Sequence, residues 1–215
     1  MSTPSIEFAG HKFQPQLCGA LYWQSENTLI VSDLHFEKAS HFARHGNFIP
    51  PYDSFETVNK LKKTCDRLTP KRLILLGDVF HDQYGYQRMA EQARSIFDTI
   101  ISGHELIWID GNHDRGHAPE NVVVHEKVDI AGIVFTHIAT DNPMCEISGH
   151  YHPCHIMVHK GHKMRRPCFI FNEKKIIMPA FGTLTGHLEC GSPAIRSIIP
   201  DPHFAVLGTN RILMK

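Results

Sequence analysis

The sequence predicts an α/β fold, a single domain over residues 1–215 built as an αββα sandwich of two packed mixed sheets flanked by helices. Three observations predict it. Apolar runs alternate with amphipathic segments through the first half of the chain, the βαβα rhythm of a parallel sheet covered by helices. Each of those runs stops at a carboxylate or an amide. Beyond residue 120 the runs become short and strand-like, separated by Gly, Pro and Asn, which reads as an antiparallel half.

In chain order, TLIVSD (28–33) is a buried strand closing on an acid. A helix follows in PPYDSFETVNKLKKTCDRL, where Asp53 and Glu56 have capping-box spacing and Phe55, Val58, Leu61, Cys65 and Leu68 repeat at helical spacing. KRLILLGD (71–78) is the second strand. Residues 86–102 form one helix, with Met89, Ala93, Ile96, Phe97 and Ile100 on one face and Gly103 as its stop. ELIWIDGN is the third strand. VVVHE, GIVFTH, HIMVH, CFIF and KIIMP are the short strands of the second half.

Composition is that of an ordinary globular chain: 215 residues, 42% hydrophobic, 20% charged, with formal net charge zero. A near-neutral pI of 7.3 argues against holding nucleic acid by bulk positive charge. The start, MSTPSIEFAG, has neither a basic nor an apolar signal region, and no apolar run is long enough to span a bilayer. Cys18, Cys65, Cys145, Cys154, Cys168 and Cys190 form no CxxC pair and are expected as reduced thiols of a cytoplasmic protein with no membrane role. Histidine is abundant, at 17 residues.

In open α/β sheets, sites form beyond the carboxyl ends of the strands. The first strand delivers Asp33-Leu34-His35 there. The second delivers Gly77-Asp78, with His81 close behind, and the third Gly111-Asn112-His113-Asp114-Arg115. GIVFTH supplies His137, and EISGHYH supplies Gly149-His150-Tyr151-His152. Asp33, His35, Asp78, Asn112, His137, His150 and His152 make seven metal donors. With Asp78 bridging, one metal takes Asp33, His35, Asp78 and His152, and the other takes Asp78, Asn112, His137 and His150. Two aspartates cannot cancel two divalent cations, and the neutral Asn preserves a positive surplus for a phosphodiester. Imidazole and carboxylate without thiolate favour two divalent ions of Mn, with Fe or Zn as alternatives. Gly77, Gly111 and Gly149 permit tight turns and close approach to the metals.

Other readings of these residues exist. Asp33, Asp78 and Asn112 individually suit helix caps. Cys145, His150, His152, Cys154 and His155 could form a structural zinc site. Lys160, Lys163, Arg165 and Arg166 form a basic cluster that suits either a nucleic-acid backbone or a solvated loop. Phe169, Phe171 and Phe181 lie in apolar strand patterns and are expected in the core.

The motifs DxH, GD, GNHD, H and GHxH, in that order over residues 29–152, resemble the calcineurin-like metallophosphoesterase superfamily. SDLHFEK, LGDVFH, GNHDR, GHYHP, RRPCFI and MPAFGTLTGH, reaching residue 187, are similar to the bacterial ligase-associated DNA-damage-response endonuclease family. One departure is that no glycine follows His137 in FTHIAT. The resemblance implies two-metal hydrolysis of a phosphodiester, with His113 as the general acid. Asp114 would orient a ligand histidine, Arg115 would pair with a phosphate oxygen, and His81 would either contact substrate or merely follow the strand. It further implies DNA as substrate and a DNA ligase, a helicase and an exonuclease of the same repair system as partners. The rival functions are a phosphatase or phosphodiesterase acting on nucleotides or other small phosphoesters, and a metal-free scaffold of the same fold.

Overall fold

The structure, a computed structural model, describes residues 4–141, 143–159 and 161–215. Lys160 of the basic cluster lies outside the described residues. The first sheet has seven strands paired in chain order: β1 (Ile6–Phe8), β2 (His11–Pro15), β3 (Leu21–Trp23), β4 (Thr28–Val31), β5 (Arg72–Leu76), β6 (Glu105–Ile109) and β7 (Val124–His125). β1 to β4 are antiparallel, and β4 to β7 run parallel. Helices α1 (Lys38–Arg44) and α2 (Asp53–Leu68) connect β4 to β5; α3 (Gly85–Arg88) and α4 (Glu91–Ser102) connect β5 to β6.

The second sheet is also mixed. It contains β8 (Lys127–Ile130), β9 (Ile133–Thr136), β10 (Cys145–Ser148), β11 (Pro153–His159), β12 (His162–Phe171), β13 (Lys175–Ile177) and β14 (Leu188–Glu189), with the hairpin β15 (His203–Leu207) and β16 (Ile212–Met214) joined to β12. The expected antiparallel half is corrected here, because β10 pairs parallel to both β9 and β13. The two sheets are mixed as the fold class requires.

Alternation along the strands sorts the layers. Leu29, Val31, Leu73 and Leu75 face Val58, Leu61, Phe97 and Ile100 of α2 and α4. Their neighbours Ile30, Ile74, Leu76 and Ile109 face Ile133, Phe135, Ile147 and Phe169 of the second sheet. Burial on both faces is why these strands read as unbroken apolar runs. Each such fully buried side chain is worth about 1.5–3 kcal/mol of transfer free energy. The outer face of the second sheet is covered more thinly, by the short helix α5 (Pro193–Arg196) and Ile199 against Cys168, Ile170 and Ile177. Phe169 and Phe181 are buried, and Phe171 packs at the margin of the inter-sheet core.

Three local expectations change. The 86–102 helix is two helices, because Ala90 is extended at φ −56°, ψ 139°. Tyr52, not Asp53, occupies the N-cap position of α2, without a side-chain capping bond, and the Asp53 carboxylate instead accepts from the Ala39 amide at 3.0 Å, tying α1 to α2. Phe55 has helical spacing but is 46% exposed.

Register sets up the site. Val31 pairs with Leu75 and Leu76 with Ile109, so the three central strands end nearly level. Asp33, Asp78 and Asn112 each lie two or three residues past those ends. His137 and His150 lie one and two residues past β9 and β10. Both sheets therefore deliver donors to one crest.

Candidate metal centre

The seven predicted donors converge. Asp33, His35 and His152 form one cluster able to hold a metal ion, and Asp78, His137 and His150 form a second. Asn112 joins the second, its Oδ1 3.1 Å from His137 Nε2. In the first, His152 Nε2 lies 3.1 Å from Asp33 Oδ1 and 3.3 Å from His35 Nε2. Asp78 faces both clusters: its Oδ2 is 3.3 Å from His137 Nε2 and 3.8 Å from His35 Nε2. The zinc alternative is not realised, since among the described residues none of the donor clusters includes a cysteine.

The backbone bends sharply to aim these groups. Asp33, His35, Asp78, His150 and His152 all have positive φ, from 44° to 69°. That region costs a non-glycine residue about 1–2 kcal/mol, so the surrounding structure must hold it. Glycines supply room beneath the donors rather than beside the metals. A Cβ on Gly111 would stand 2.2 Å from the Asp78 amide, and one on Gly149 would stand 1.8 Å from Ser32 Oγ. At Gly77 it would enter the His137 ring, and φ there is 79°.

Carbonyls fix the imidazole tautomers. His137 Nδ1 donates to Leu76 O at 3.0 Å, and His152 Nδ1 donates to Gly186 O at 3.2 Å, leaving both Nε2 atoms aimed inward. Asp33 accepts from Ser32 Oγ at 2.5 Å and from the His150 amide at 3.0 Å.

The electrostatics fit cations. Asp33 and Asp78 are 0% and 1% exposed, and their ion-pair partners are all imidazoles, at 3.1–4.0 Å. Burial raises the Asp33 carboxyl, but the His152 hydrogen bond and the His152, His137 and His35 charges outweigh it and leave it lowered. Asp78 is likewise lowered, burial being overcome chiefly by the His137 hydrogen bond and charge. Burial pushes His35 down to about 3, against the pull of Asp33 and Asp78. His137 goes the other way, to about 9, because its Asp78 hydrogen bond and the Asp33 and Asp78 charges outweigh burial. Two buried carboxylates among imidazole nitrogens and an amide oxygen suit divalent cations of the Mn, Fe or Zn type.

Of the remaining candidates, His81 and His113 group with His35 in a third cluster of imidazoles, and Asp114 and Arg115 stand apart from the donors. His113 is 38% exposed at its side chain and points Nε2 toward Asp78 Oδ2, 4.0 Å away. Its Nδ1 donates to the His81 carbonyl at 2.9 Å, so Nε2 carries a proton only in the imidazolium form. The His81 ring stacks on His113, with centroids 4.8 Å apart, and its Nδ1 lies 3.3 Å from His35 Nδ1. Burial, with the His113 charge, pushes His81 down to about 4.

Among the described residues the Asp114 carboxylate turns to the backbone, with no histidine among its hydrogen-bond partners. Its Oδ2 accepts the amides of Val79 and Phe80 at 2.8 and 3.1 Å, which fixes the chain just beyond Asp78. Recognising that role required the loop conformation, since the residue partners a backbone 34 and 35 positions away. Arg115 is exposed and lines the clefts on both sides of the crest. Asp82 went unnoticed in the sequence. It binds His41 at 2.7 Å and Arg88 at 2.8 Å just behind His81.

A family model described as calcineurin-like phosphoesterase matches residues 27–203. No curated protein sequence matches significantly. Among solved structures, the Pseudomonas putida nuclease MPE shares the fold, with a TM-score of 0.77 and 23% identity over 100% of both chains. Yfce, a phosphoesterase from E. coli, aligns with a TM-score of 0.42 and 13% identity over 85% of this chain and 88% of that one. The family match runs through every strand end that carries a donor, and the chain therefore belongs to the calcineurin-like phosphoesterase family of hydrolases.

Proposed function

We propose that the chain is a two-metal phosphodiesterase acting on DNA as a nuclease in repair. One observation carries the reading: two donor clusters meet at Asp78 with the Nε2 of His113 facing them. Asp33, His35, Asp78 and His152 would hold one divalent ion, and Asp78, Asn112, His137 and His150 the other, manganese being the preferred metal. When bound, such a pair lowers the pKa of a shared water and clamps the phosphoryl oxygens. The chain's own residues supply the rest. His113, as imidazolium, donates its Nε2 proton to the leaving oxygen while its Nδ1–H on the His81 carbonyl keeps the ring in place. Asp114 holds the backbone after Asp78, so the shared carboxylate keeps its position.

Two supports extend the reading to DNA: the sequence resemblance to ligase-associated repair endonucleases, and the fold shared with a protein titled a nuclease. With that resemblance come a DNA ligase, a helicase and an exonuclease as partners, and the unpaired cysteines suit a cytoplasmic setting. The neutral net charge favours a second reading, hydrolysis of small phosphoesters. The full donor set argues against a metal-free scaffold. Purified protein should take up about two divalent ions per chain and, with Mn, cleave single-stranded DNA at low salt as well as an aryl phosphodiester. Cleavage of the aryl diester alone would favour the small-phosphoester reading. No metal uptake and no hydrolysis would overturn both.

A further inference from the structure

Beside the metal clusters lies a cleft of about 360 Å³, lined by His41, Arg44, Tyr84, His113, Arg115 and His117 among others. It is strongly polarised in a chain whose net charge is zero. Asp82 is the single carboxylate lining it among the described residues. That carboxylate is already engaged, Oδ2 by His41 at 2.7 Å and both oxygens by Arg88 at 2.8 Å. Among the described residues neither Arg44 nor Arg115 has a carboxylate within 4.0 Å, so both guanidiniums stand over the cleft without an ion pair. A row of imidazoles runs outward from the centre: His113 to His81 at 4.8 Å, His81 to His41 at 4.8 Å, and His41 to His45 at 4.7 Å between centroids. Tyr84, on the rim, is 55% exposed.

Two unpaired guanidiniums, an exposed phenol ring and no free carboxylate suit a phosphate and a base together. His113 belongs to the cleft and also faces Asp78, so the cleft opens on the side where the leaving oxygen departs. We propose that this cleft is a nucleotide subsite for the leaving strand, with Arg44 and Arg115 on the flanking phosphate and Tyr84 against the base. The assignment rests on the phosphodiesterase reading given above. It explains how a neutral protein could hold a polyanion, through local charge at one cleft.

The test uses the manganese-loaded full chain, an aryl phosphodiester as the reporter substrate and a short thymidine oligonucleotide as competitor. Arg44→Ala and Tyr84→Ala are the variants; both side chains are exposed, so the core is untouched. Arg115 is left intact because it also borders the cleft at Asn112 and His137. Each substitution should raise the oligonucleotide inhibition constant about tenfold while aryl diester turnover stays within about twofold of wild type. A wild-type enzyme that the oligonucleotide does not inhibit overturns the subsite. So do variants inhibited as strongly as wild type, or variants whose aryl turnover falls in parallel. Inhibition without cleavage of the oligonucleotide sinks the nuclease reading and leaves the subsite standing. Cleavage with unaltered variants does the reverse.

Discussion

The two donor clusters use the same residue types, yet His35 in the first and His137 in the second are shifted in opposite directions. Around Asp33, a hydroxyl at 2.5 Å and a backbone amide at 3.0 Å already satisfy the carboxylate, and His35 is pressed down to about 3 by burial. Around Asp78, Oδ1 has the His113 amide at 2.9 Å, but Oδ2 leans on His137, which its Asp78 hydrogen bond lifts to about 9. His35 therefore stays neutral and ready for a cation. In the second, a proton on His137 compensates charge that a cation would otherwise compensate. Ligand identity is thus only half of a metal site, and the hydrogen bonds behind each ligand decide what must leave before metal enters.

Asp78→Ala should break the comparison outright, because that carboxylate serves both sides. Metal content should fall below one ion per chain, and phosphodiester hydrolysis should drop by about a thousandfold or more. Elemental analysis together with steady-state rates would check this. Near-normal loading in the variant would mean that the clusters do not share Asp78.

His113→Ala should leave metal content unchanged and act on chemistry alone. Hydrolysis of a DNA diester, whose alkoxide leaving group needs a proton, should fall by about a hundredfold to a thousandfold. A p-nitrophenyl diester, with its far better leaving group, should lose less than about tenfold. Equal losses on both substrates would remove His113 from the general-acid role.

Much of this was legible because the parallel strands are buried on both faces, so TLIV, LILL and LIWI stand out as runs and each is followed at once by its donors. What escaped depends on tertiary partners. β1 and β3 are three residues each, too short for alternation to register. α1 begins after Glu37 in a left-handed conformation with no side-chain cap, so nothing marked it locally. Missing α1 hid Arg44 and the cleft it lines. The direction of β10 is set by β9 and β13 on either side, which no local pattern encodes. Asp53 has capping-box spacing, yet its carboxylate is drawn to the neighbouring helix.

Asp114 supports the second cluster from behind and does not touch the first. Burial raises its carboxyl to about 6, with the Phe80 amide opposing and the Asp78 charge adding. Asp114→Ala leaves two amides, of Val79 and Phe80, without their acceptor, and should cost about 2–3 kcal/mol in denaturant unfolding. Asp114→Asn keeps an accepting oxygen and should cost less than about 1 kcal/mol. The alanine variant should also bind its second metal more weakly than its first. Loss of both to the same degree would show that the support is not selective.

The pH dependence of stability is the most direct reading of the contrast. With metal removed by a chelator, His137 has a folded pKa raised from 6.5 to about 9. A histidine raised on folding stabilises fully below its unfolded pKa, and that contribution disappears as pH climbs through the folded value. The chelated protein should therefore lose stability between pH 6.5 and about 9, on the order of 3 kcal/mol. His35, held at about 3, stays neutral throughout that window and adds no slope. His137→Gln should flatten the curve while leaving any slope from surface groups intact. Saturating manganese should remove the same slope, because metal and proton compete for Nε2 and the cation wins as pH rises. A chelated wild-type protein with unfolding free energy constant over this range would mean that His137 holds no extra proton, and the two clusters would then differ in position only.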